Sequence, residues 1–365
     1  MKYFTTLIKP ASSSCNMKCS YCFYADVAEH REIPNHGIMS RDIMETIITK
    51  TLEHCTEETT ITYAFQGGEP TLAGLSYYQH FIETVDTHKK DYHHIQYALQ
   101  TNALLLEDPW IEFLREHHFL VGVSLDGYIK NHDRVRRCSK DQGTYERVMR
   151  NTRKLQEASV EFNVLTVLTR DLSKHPRELY EFYQKNHLKY IQLIPCLPSL
   201  DPKKDPYALT PKQFYHFYDE FFTLWYNSLR KGEYMSITLF DNLIPMFIGI
   251  PPQQCGYLGF CSNQFVIESD GSVYPCDFYV LDRYCIGNIK EQSIQELNTS
   301  STVHNFLREK RDLCKLCSDC RYVKMCHGQC RRLSVCYYDS EYCGLREFLL
   351  KHERELVEVA MNIRR

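Results

Sequence analysis

The sequence predicts an α/β protein in which six β/α units form an open, partial barrel and a cysteine-rich domain follows. Three observations support this fold class. Strand-like runs alternate with helical runs up to about residue 235, six such units occur, and cysteines become dense beyond that point. Because a closed eight-unit barrel usually needs about 250 residues, six units in a shorter region favour a partial barrel.

The predicted strands are short runs rich in β-branched and aromatic residues, and stretches of helical length separate them. The strands are predicted at Thr5–Lys9, Ile61–Phe65, Ile95–Gln100, Leu120–Leu125, Phe162–Leu168 and Tyr190–Ile194, and the helices at Arg41–Cys55, Tyr77–Lys89, Trp110–His117, Thr144–Glu157 and Pro176–Asn186. A longer helix is predicted over Pro211–Lys231, because Thr210 suits the N-cap and proline suits the first helical position. We therefore predict a core domain at 1–235, a second domain at 236–343 and a terminal helix at 344–365.

Composition limits the classes of function. The net charge of −3 gives no reason to expect nucleic acid as a partner, and no apolar run of membrane-spanning length occurs. The first ten residues lack the pattern of a signal peptide. Seventeen cysteines in a chain without secretory features indicate a reducing, cytoplasmic location and metal or iron–sulfur ligation.

Three cysteines lie close together directly after the first predicted strand. Cys15, Cys19 and Cys22 have the spacing C-x3-C-x2-C, in a loop that should face the active site of an α/β barrel. Three thiolates on a four-iron cluster would leave one iron open to a ligand with an amine and a carboxylate. A zinc site or incidental thiols are the alternatives, because C-x2-C alone is common in zinc proteins.

Eight further cysteines in the last third have spacings that can complete two four-ligand sites, either iron–sulfur clusters or zinc ribbons. They are Cys255, Cys261, Cys276, Cys317, Cys320, Cys326, Cys330 and Cys343. Cys314 precedes this second run by one C-x2-C step and is a competing ligand. The other five cysteines are expected to be buried small hydrophobic residues, and they are Cys55, Cys138, Cys196, Cys285 and Cys336.

The cysteine loop and the segment Phe65-Gln-Gly-Gly-Glu-Pro70 together resemble the radical S-adenosylmethionine (SAM) superfamily. The resemblance implies that Gly67, Gly68 and Glu69 bind the methionine amino group of SAM, since glycines allow close backbone approach. It also implies cofactor contacts from Tyr21, Ser124, Arg136 and Leu197, with Arg134 and Arg137 as competitors for the arginine role. Gln100-Thr-Asn102 matches another superfamily segment, but Ala103 replaces the glycine that usually follows.

The C-terminal cysteines resemble the SPASM domain of radical SAM enzymes that act on peptides. That resemblance implies two auxiliary clusters and, with the first cluster, three [4Fe–4S] clusters in all. One auxiliary cluster would be held by Cys255, Cys261, Cys276 and Cys330, and the other by Cys317, Cys320, Cys326 and Cys343.

Three segments, 8–15, 65–74 and 268–279, make the chain similar to anaerobic sulfatase-maturating enzymes. The resemblance implies a radical SAM oxidase that converts a cysteine or serine of a sulfatase to Cα-formylglycine (3-oxoalanine), with hydrogen abstraction by a 5′-deoxyadenosyl radical. Asp277 would be the base, and Tyr24 and Gln66 would line the substrate side. The implied partners are an unfolded or nascent sulfatase segment and an electron donor such as flavodoxin or ferredoxin.

A base role for Asp277 needs a physical reason, because a free carboxylate has a pKa of about 4 and a thiol one of about 8.5. A desolvated site would raise the carboxylate pKa toward the working range. An aspartate that follows a cysteine in a glycine-rich loop is otherwise a turn or cap residue.

Two other functions remain open from the sequence. A related SPASM enzyme would instead form thioether or carbon–carbon crosslinks in a peptide, or mature a peptide-derived cofactor. A protein of a different class would be a non-catalytic adaptor that binds zinc through its cysteine-rich ribbons.

Metal and sulfide analysis of anaerobically purified protein separates the enzyme from the zinc adaptor. We expect about twelve irons per chain in the wild type, and about four fewer when Cys15, Cys19 and Cys22 are all replaced by alanine. Colourless protein loaded with zinc would contradict the prediction of iron–sulfur clusters.

Overall fold

The computed structural model describes residues 2–201, 205–309 and 313–363. The chain folds as two compact units that interleave along the sequence. Unit 1 comprises Met1–Ser124, Arg136–Phe162 and Ser262–Glu309, and unit 2 comprises Leu125–Val135, Asn163–Cys261 and Lys310–Arg365.

Twelve strands occur among the described residues. They are β1 (Lys2–Ile8), β2 (Met17–Cys19), β3 (Thr59–Phe65), β4 (His93–Thr101), β5 (Leu120–Ser124), β6 (Arg136–Cys138), β7 (Phe162–Leu168), β8 (Tyr190–Pro195), β9 (Ser236–Ile237), β10 (Val266–Ile267), β11 (Ser272–Tyr274) and β12 (Gly287–Asn288).

The same part of the chain forms thirteen α-helices, none of which has both the length and the apolar character needed to cross a bilayer. They are α1 (Phe23–Glu29), α2 (Arg41–His54), α3 (Leu75–His88), α4 (Asp108–Glu116), α5 (Ile129–Val135), α6 (Tyr145–Glu157), α7 (Pro176–Lys185), α8 (Pro211–Leu229), α9 (Thr238–Met246), α10 (Ile294–Asn298), α11 (Ser301–Arg308), α12 (Val323–Cys326) and α13 (Gly344–Ile363).

A parallel sheet forms the centre of unit 1. Strands β1, β3, β4 and β5 pair in that order, all parallel, and the predicted strand positions are confirmed to within three residues at each end. The carboxyl ends of these strands lie at one edge, so the loops that carry the predicted motifs emerge together. Phe65 at the end of β3 packs edge-on against Tyr78 and Phe81, which holds α3 against the sheet.

The sequence did not predict β10 to β12, which extend the unit 1 sheet beyond β1. Val266 and Ile267 of β10 pair in parallel with Leu7 and Ile8, and β11 and β12 follow in antiparallel pairing. These strands are two or three residues long, which is too short for a recognisable hydrophobic period. The pairing brings part of the cysteine-rich region against the first strand of the chain.

Unit 2 contains β8, β9 and β7 from Asn163 onward, with the aromatic helix α8 packed against α7 and α13. Helix α8 begins as predicted, because Thr210 forms a capping box with Gln213, but it ends at Leu229, two residues before the predicted Lys231. Trp225 Nε1 donates to the carbonyl of Met235 at 2.7 Å, which fixes the turn after the helix.

A charge cluster joins α8 to the terminal helix α13. Asp219 accepts hydrogen bonds from Lys351 Nζ and His352 Nε2, both at 2.8 Å. Burial alone would raise the pKa of Asp219, but the hydrogen bonds from Lys351 and His352 outweigh it and lower the pKa. A carboxylate whose pKa is lower in the folded state stabilises the fold above its ordinary pKa of about 3.9, and this stabilisation is lost as the pH falls through the folded value.

We therefore expect Asp219→Asn to reduce the free energy of unfolding by about 1 kcal/mol at pH 7. The difference from wild type should shrink as the pH falls through the lowered pKa of Asp219, because the wild-type carboxylate then becomes protonated as well. Denaturant titration at pH 7 and at a series of lower pH values measures this. Asp86→Asn, which removes an exposed pair with Lys89, is the control and should change little; an equal effect of both variants would contradict the assignment.

Candidate active site

The cysteine loop after β1 is held by hydrogen bonds to its own sulfur atoms. Cys15 Sγ accepts from the backbone N–H of Met17, and Cys22 Sγ accepts from that of Ala25 at the start of α1, both at 3.4 Å. Burial raises the pKa of Cys15 to about 11, and the nearby Glu69 and Cys22 add to this rise. A thiol with a raised pKa gives up its proton when it binds a cationic centre, and cluster iron would supply that positive charge.

The Gly67–Gly68 segment packs directly on this loop. Gly68 N–H donates to the carbonyl of Ser12, and Glu69 N–H donates to that of Ser14, both at 2.8 Å. A Cβ atom on Gly68 would lie 2.1 Å from the Ser14 carbonyl oxygen. Only glycine fits at this contact, and this accounts physically for the motif recognised in the sequence.

The carboxylate of Glu69 is completely enclosed and fully hydrogen-bonded. It is 1% exposed, and it accepts from Thr71, from Thr101 Oγ1 at 2.7 Å and from the Asn102 N–H at 2.7 Å. Burial raises the pKa of Glu69, and these hydrogen bonds oppose the shift. Glu69 therefore ties the end of β3 to the end of β4, while its predicted contact with the cofactor remains a prediction.

Of the three arginines considered, Arg136 is the buried one, and its contact with the cofactor remains a prediction. Arg136 is 7% exposed, pairs with Cys19 across β6 and β2, and donates to Tyr21 Oη at 2.8 Å. By contrast, Arg134 and Arg137 form exposed ion pairs with aspartates.

Ser124 and Ala103, also singled out in the sequence, lie at or just beyond the carboxyl ends of β5 and β4. Ser124 ends β5, and its Oγ accepts from Gln100 Nε2 at 3.0 Å. Ala103 has a φ of +60°, the left-handed conformation that glycine would adopt at no cost. Asn151 Nδ2 donates to the Ala103 carbonyl at 2.7 Å, so the turn keeps its form without the glycine. Leu197 follows β8 in unit 2 and remains a predicted contact.

Asp277 lies in unit 1 with the cysteine loop, but it has a partner that the sequence did not reveal. Its Oδ1 accepts from Lys9 Nζ at 2.5 Å, and its N–H donates to Gln264 Oε1 at 3.1 Å. The Asp277 side chain is 19% exposed, whereas Lys9 is 1% exposed. Among the described residues no group hydrogen-bonds Oδ2, so one carboxylate oxygen stays available.

A second buried carboxylate, Glu268, organises the residues around this pair. Its Oε1 accepts from Tyr24 Oη at 2.6 Å, and its Oε2 accepts from Ser12 Oγ at 2.6 Å and Arg31 Nη1 at 3.1 Å. Burial and then Glu268 raise the pKa of Tyr24 well above its ordinary value. Tyr24 thus remains a neutral phenol whose hydroxyl points at Glu268. The sequence did not indicate Lys9, Arg31 or the role of Glu268, because no local motif marks a contact across more than two hundred residues.

Gln66, the other predicted substrate-side residue, lies between the end of β3 and Gly67. Its backbone N–H donates to the carbonyl of Ile8 at 3.0 Å, next to Lys9. Gln66, Lys9 and Gly67 are therefore neighbours within unit 1.

Unit 2 contains a pocket lined by the four cysteines predicted to hold one auxiliary cluster, namely Cys317, Cys320, Cys326 and Cys343. Burial and then the three neighbouring thiols raise the pKa of Cys343 to about 12, so the four sulfur atoms share one environment. In the described chain, no three His, Cys, Asp or Glu side chains close on a point as the ligands of a single metal ion would. Four thiols around one pocket are the donor set that a [4Fe–4S] cluster requires.

The remaining cysteines divide between the two units. Cys255, Cys261 and Cys330 are in unit 2, and Cys276 is in unit 1. Burial raises the pKa of Cys255, and the nearby Cys330 and Cys261 add to this rise. Cys314 donates to the carbonyl of Asp339 at 3.0 Å and does not line the four-cysteine pocket. Of the five cysteines expected to be buried, Cys55, Cys196 and Cys336 are buried, while Cys138 and Cys285 are half-buried.

Comparison with known proteins identifies the class first. Residues 10–183 match the radical SAM superfamily, and residues 257–321 match the SPASM iron–sulfur cluster-binding domain. The chain is therefore a radical SAM enzyme with a SPASM domain on the α/β fold described above, and these domains imply SAM and [4Fe–4S] clusters as cofactors.

Similarity over the full length then identifies the family. The chain is 41% identical to a cysteine-type anaerobic sulfatase-maturating enzyme of Clostridium novyi, covering 100% of this chain and 99% of the relative. It is 29% identical to a serine-type enzyme of Bacteroides thetaiotaomicron, with 89% and 81% covered. The solved structure of native anSMEcpe with bound AdoMet and Cp18Cys peptide matches with a TM-score of 0.91 and 35% identity over 99% of both chains. The chain belongs to the anaerobic sulfatase-maturating enzymes.

The close contact at Gly68 leads to a test of the predicted SAM site. Gly68→Ala should reduce 5′-deoxyadenosine formation about tenfold or more, because the added methyl group must displace the cysteine loop. Gly74→Ala is the matched control in the same connection. Its φ of +85° costs an alanine about 1 kcal/mol, but no atom lies within 4 Å of the added Cβ. Equal loss of SAM cleavage in both variants would contradict the steric argument.

Proposed function

We propose that this chain oxidises a cysteine in an unfolded or nascent sulfatase segment to Cα-formylglycine, with Asp277 as the base that accepts the proton of the substrate side chain. The observation that supports this most directly is the available Oδ2 of Asp277, on a carboxylate held by Lys9 beside the Gly67 segment. The Cp18Cys peptide bound to anSMEcpe and the greater identity to a cysteine-type relative support cysteine over serine.

The proposed division of chemistry follows from what each group can do. When bound, the first cluster and SAM supply the radical that removes a hydrogen atom from Cβ of the substrate residue. Complete oxidation to the thioaldehyde also removes one proton and one electron, and a C-terminal iron–sulfur cluster, when bound, would accept the electron. Water then replaces the sulfur, which leaves as hydrogen sulfide, to give the aldehyde. The chain's own contribution is to receive that proton at Oδ2 of Asp277, which the ion pair with Lys9 keeps in fixed orientation.

The setting of the reaction is also part of the proposal. None of the seventeen cysteines forms a disulfide, which is typical of a reducing compartment and supports a cytoplasmic location. A low-potential carrier such as flavodoxin or ferredoxin would supply electrons.

We also propose that the chain divides by function into domains at 1–235, 236–343 and 344–365. One auxiliary cluster would be held by Cys255, Cys261, Cys276 and Cys330.

Incubating the reduced enzyme with SAM and a cysteine-containing sulfatase peptide tests this function. The peptide should lose about 18 mass units, because sulfur is replaced by oxygen and two hydrogens are removed. The serine version of the peptide should be converted more slowly. A crosslinked peptide with its sulfur retained would contradict the proposal.

Asp277→Asn is expected to lower the formylglycine yield by about a hundredfold or more, which is the usual contribution of a general base. Formation of 5′-deoxyadenosine measures whether the rest of the site still works. Product formation at the wild-type rate in Asp277→Asn would exclude Asp277 as the base.

A further inference from the structure

Lys9 is a buried ammonium group beside the proposed base. Its side chain is 1% exposed, and burial of a cation is costly unless a counter-ion is present. Asp277 is its ion-pair partner among the described residues, at 2.5 Å. The ring of Tyr24 covers the ammonium as well, with Nζ 3.8 Å from the ring centroid, which is a cation–π contact.

The position of Lys9 connects two parts of the site. Its backbone N–H donates to the carbonyl of Ile267 at 2.9 Å, at the end of the strand pairing between β1 and β10. Its Cβ is 3.3 Å from the place that a Cβ on Gly67 would occupy. One residue therefore touches the Gly67 segment with its stem and Asp277 with its charged end.

The exposure of the two partners is unequal. The aspartate keeps 19% of its side chain accessible and, among the described residues, one oxygen without a protein partner, while the lysine is enclosed. In addition, Tyr24 cannot turn away from Lys9 without giving up its 2.6 Å hydrogen bond to the buried Glu268. The lysine is thus held in place, and the carboxylate is the partner that can meet a substrate.

From this arrangement we infer that Lys9 is a positioning residue, which fixes the carboxylate of Asp277 next to the SAM-binding segment so that Oδ2 faces the substrate side chain. This inference rests on the proposed function. Lys9 acts through Asp277 and exchanges no proton or electron itself.

Because Lys9 is more deeply buried than Asp277, removing either partner should affect stability differently. Asp277→Asn leaves an enclosed ammonium without a counter-ion, so it should lower the melting temperature as well as the activity. Lys9→Met leaves only a partly hydrated carboxylate, and methionine is unbranched like lysine and can fill the same space. Adding Lys9→Met to Asp277→Asn should therefore restore part of the melting temperature that Asp277→Asn loses.

The test compares Lys9→Met, Lys9→Arg and a control, Lys50→Met, in holoenzyme with the cysteine peptide. Lys50 also ties the first part of unit 1 to the 262–309 segment, since its Nζ donates to the carbonyls of Ile289 at 2.7 Å and Gln292 at 2.8 Å, away from Asp277. Lys9→Met should reduce kcat about tenfold to a hundredfold. The KM for peptide and the rate of SAM cleavage without peptide should stay within about threefold of the wild-type values. A misplaced Asp277 would slow only the chemical step on the peptide.

The controls separate positioning from general support of the fold. Lys9→Arg should recover part of kcat because it keeps the charge, and Lys50→Met should keep wild-type kcat. The inference is overturned if Lys9→Met keeps kcat within about twofold, or if its SAM cleavage falls in parallel with kcat. A wild-type enzyme that makes no formylglycine would overturn the proposed function and this inference together, whereas normal turnover by Lys9→Met would overturn the inference alone.

Discussion

The enclosure of two carboxylates is the constraint on which the unit 1 site depends. A buried carboxylate is tolerated only when hydrogen bonds or opposite charge replace its water. Glu69 meets this requirement with donors from Thr71 and from the end of β4, and Glu268 meets it with Tyr24, Ser12 and Arg31. Both carboxylates therefore hold segments that are distant in sequence in one fixed arrangement.

Asp277 differs from these two in having an oxygen left over. Glu69 and Glu268 have their oxygens committed to the frame, but Asp277 offers only Oδ1 to Lys9 and keeps partial exposure. This difference separates carboxylates that hold the structure together from one that can accept a proton from a substrate. The iron–sulfur and SAM chemistry depends on the segments that Glu69 and Glu268 hold together. The proposed oxidation of a peptide depends on Oδ2 of Asp277.

Much of the fold, and the family, could be predicted from the sequence. The alternation of strand and helix predicted the six main strands because each has a clear local period, and Thr210 marked the start of α8. Cysteine spacing and the Gly-Gly-Glu-Pro segment identified the family because both reflect strict local geometry, as the 2.1 Å contact at Gly68 shows.

What could not be predicted depends on contacts between distant residues. The short strands β10 to β12 have no period of their own and exist because β1 offers an edge. Lys9 was assigned to the end of a strand, and nothing in its neighbourhood indicated an ion pair with a residue 268 positions away. For Asp277 we expected desolvation, but the structure shows a paired and partly exposed carboxylate.

The most direct test of this division of roles is the yield of 5′-deoxyadenosine without peptide in three neutral variants. They are Glu69→Gln, Glu268→Gln, and Asp277→Asn combined with Lys9→Met so that no ammonium is left unpaired. We expect the first two variants to lose SAM cleavage because the frame is broken, and the third to retain it. Equal yields in all three variants, or loss in the third alone, would contradict this expectation.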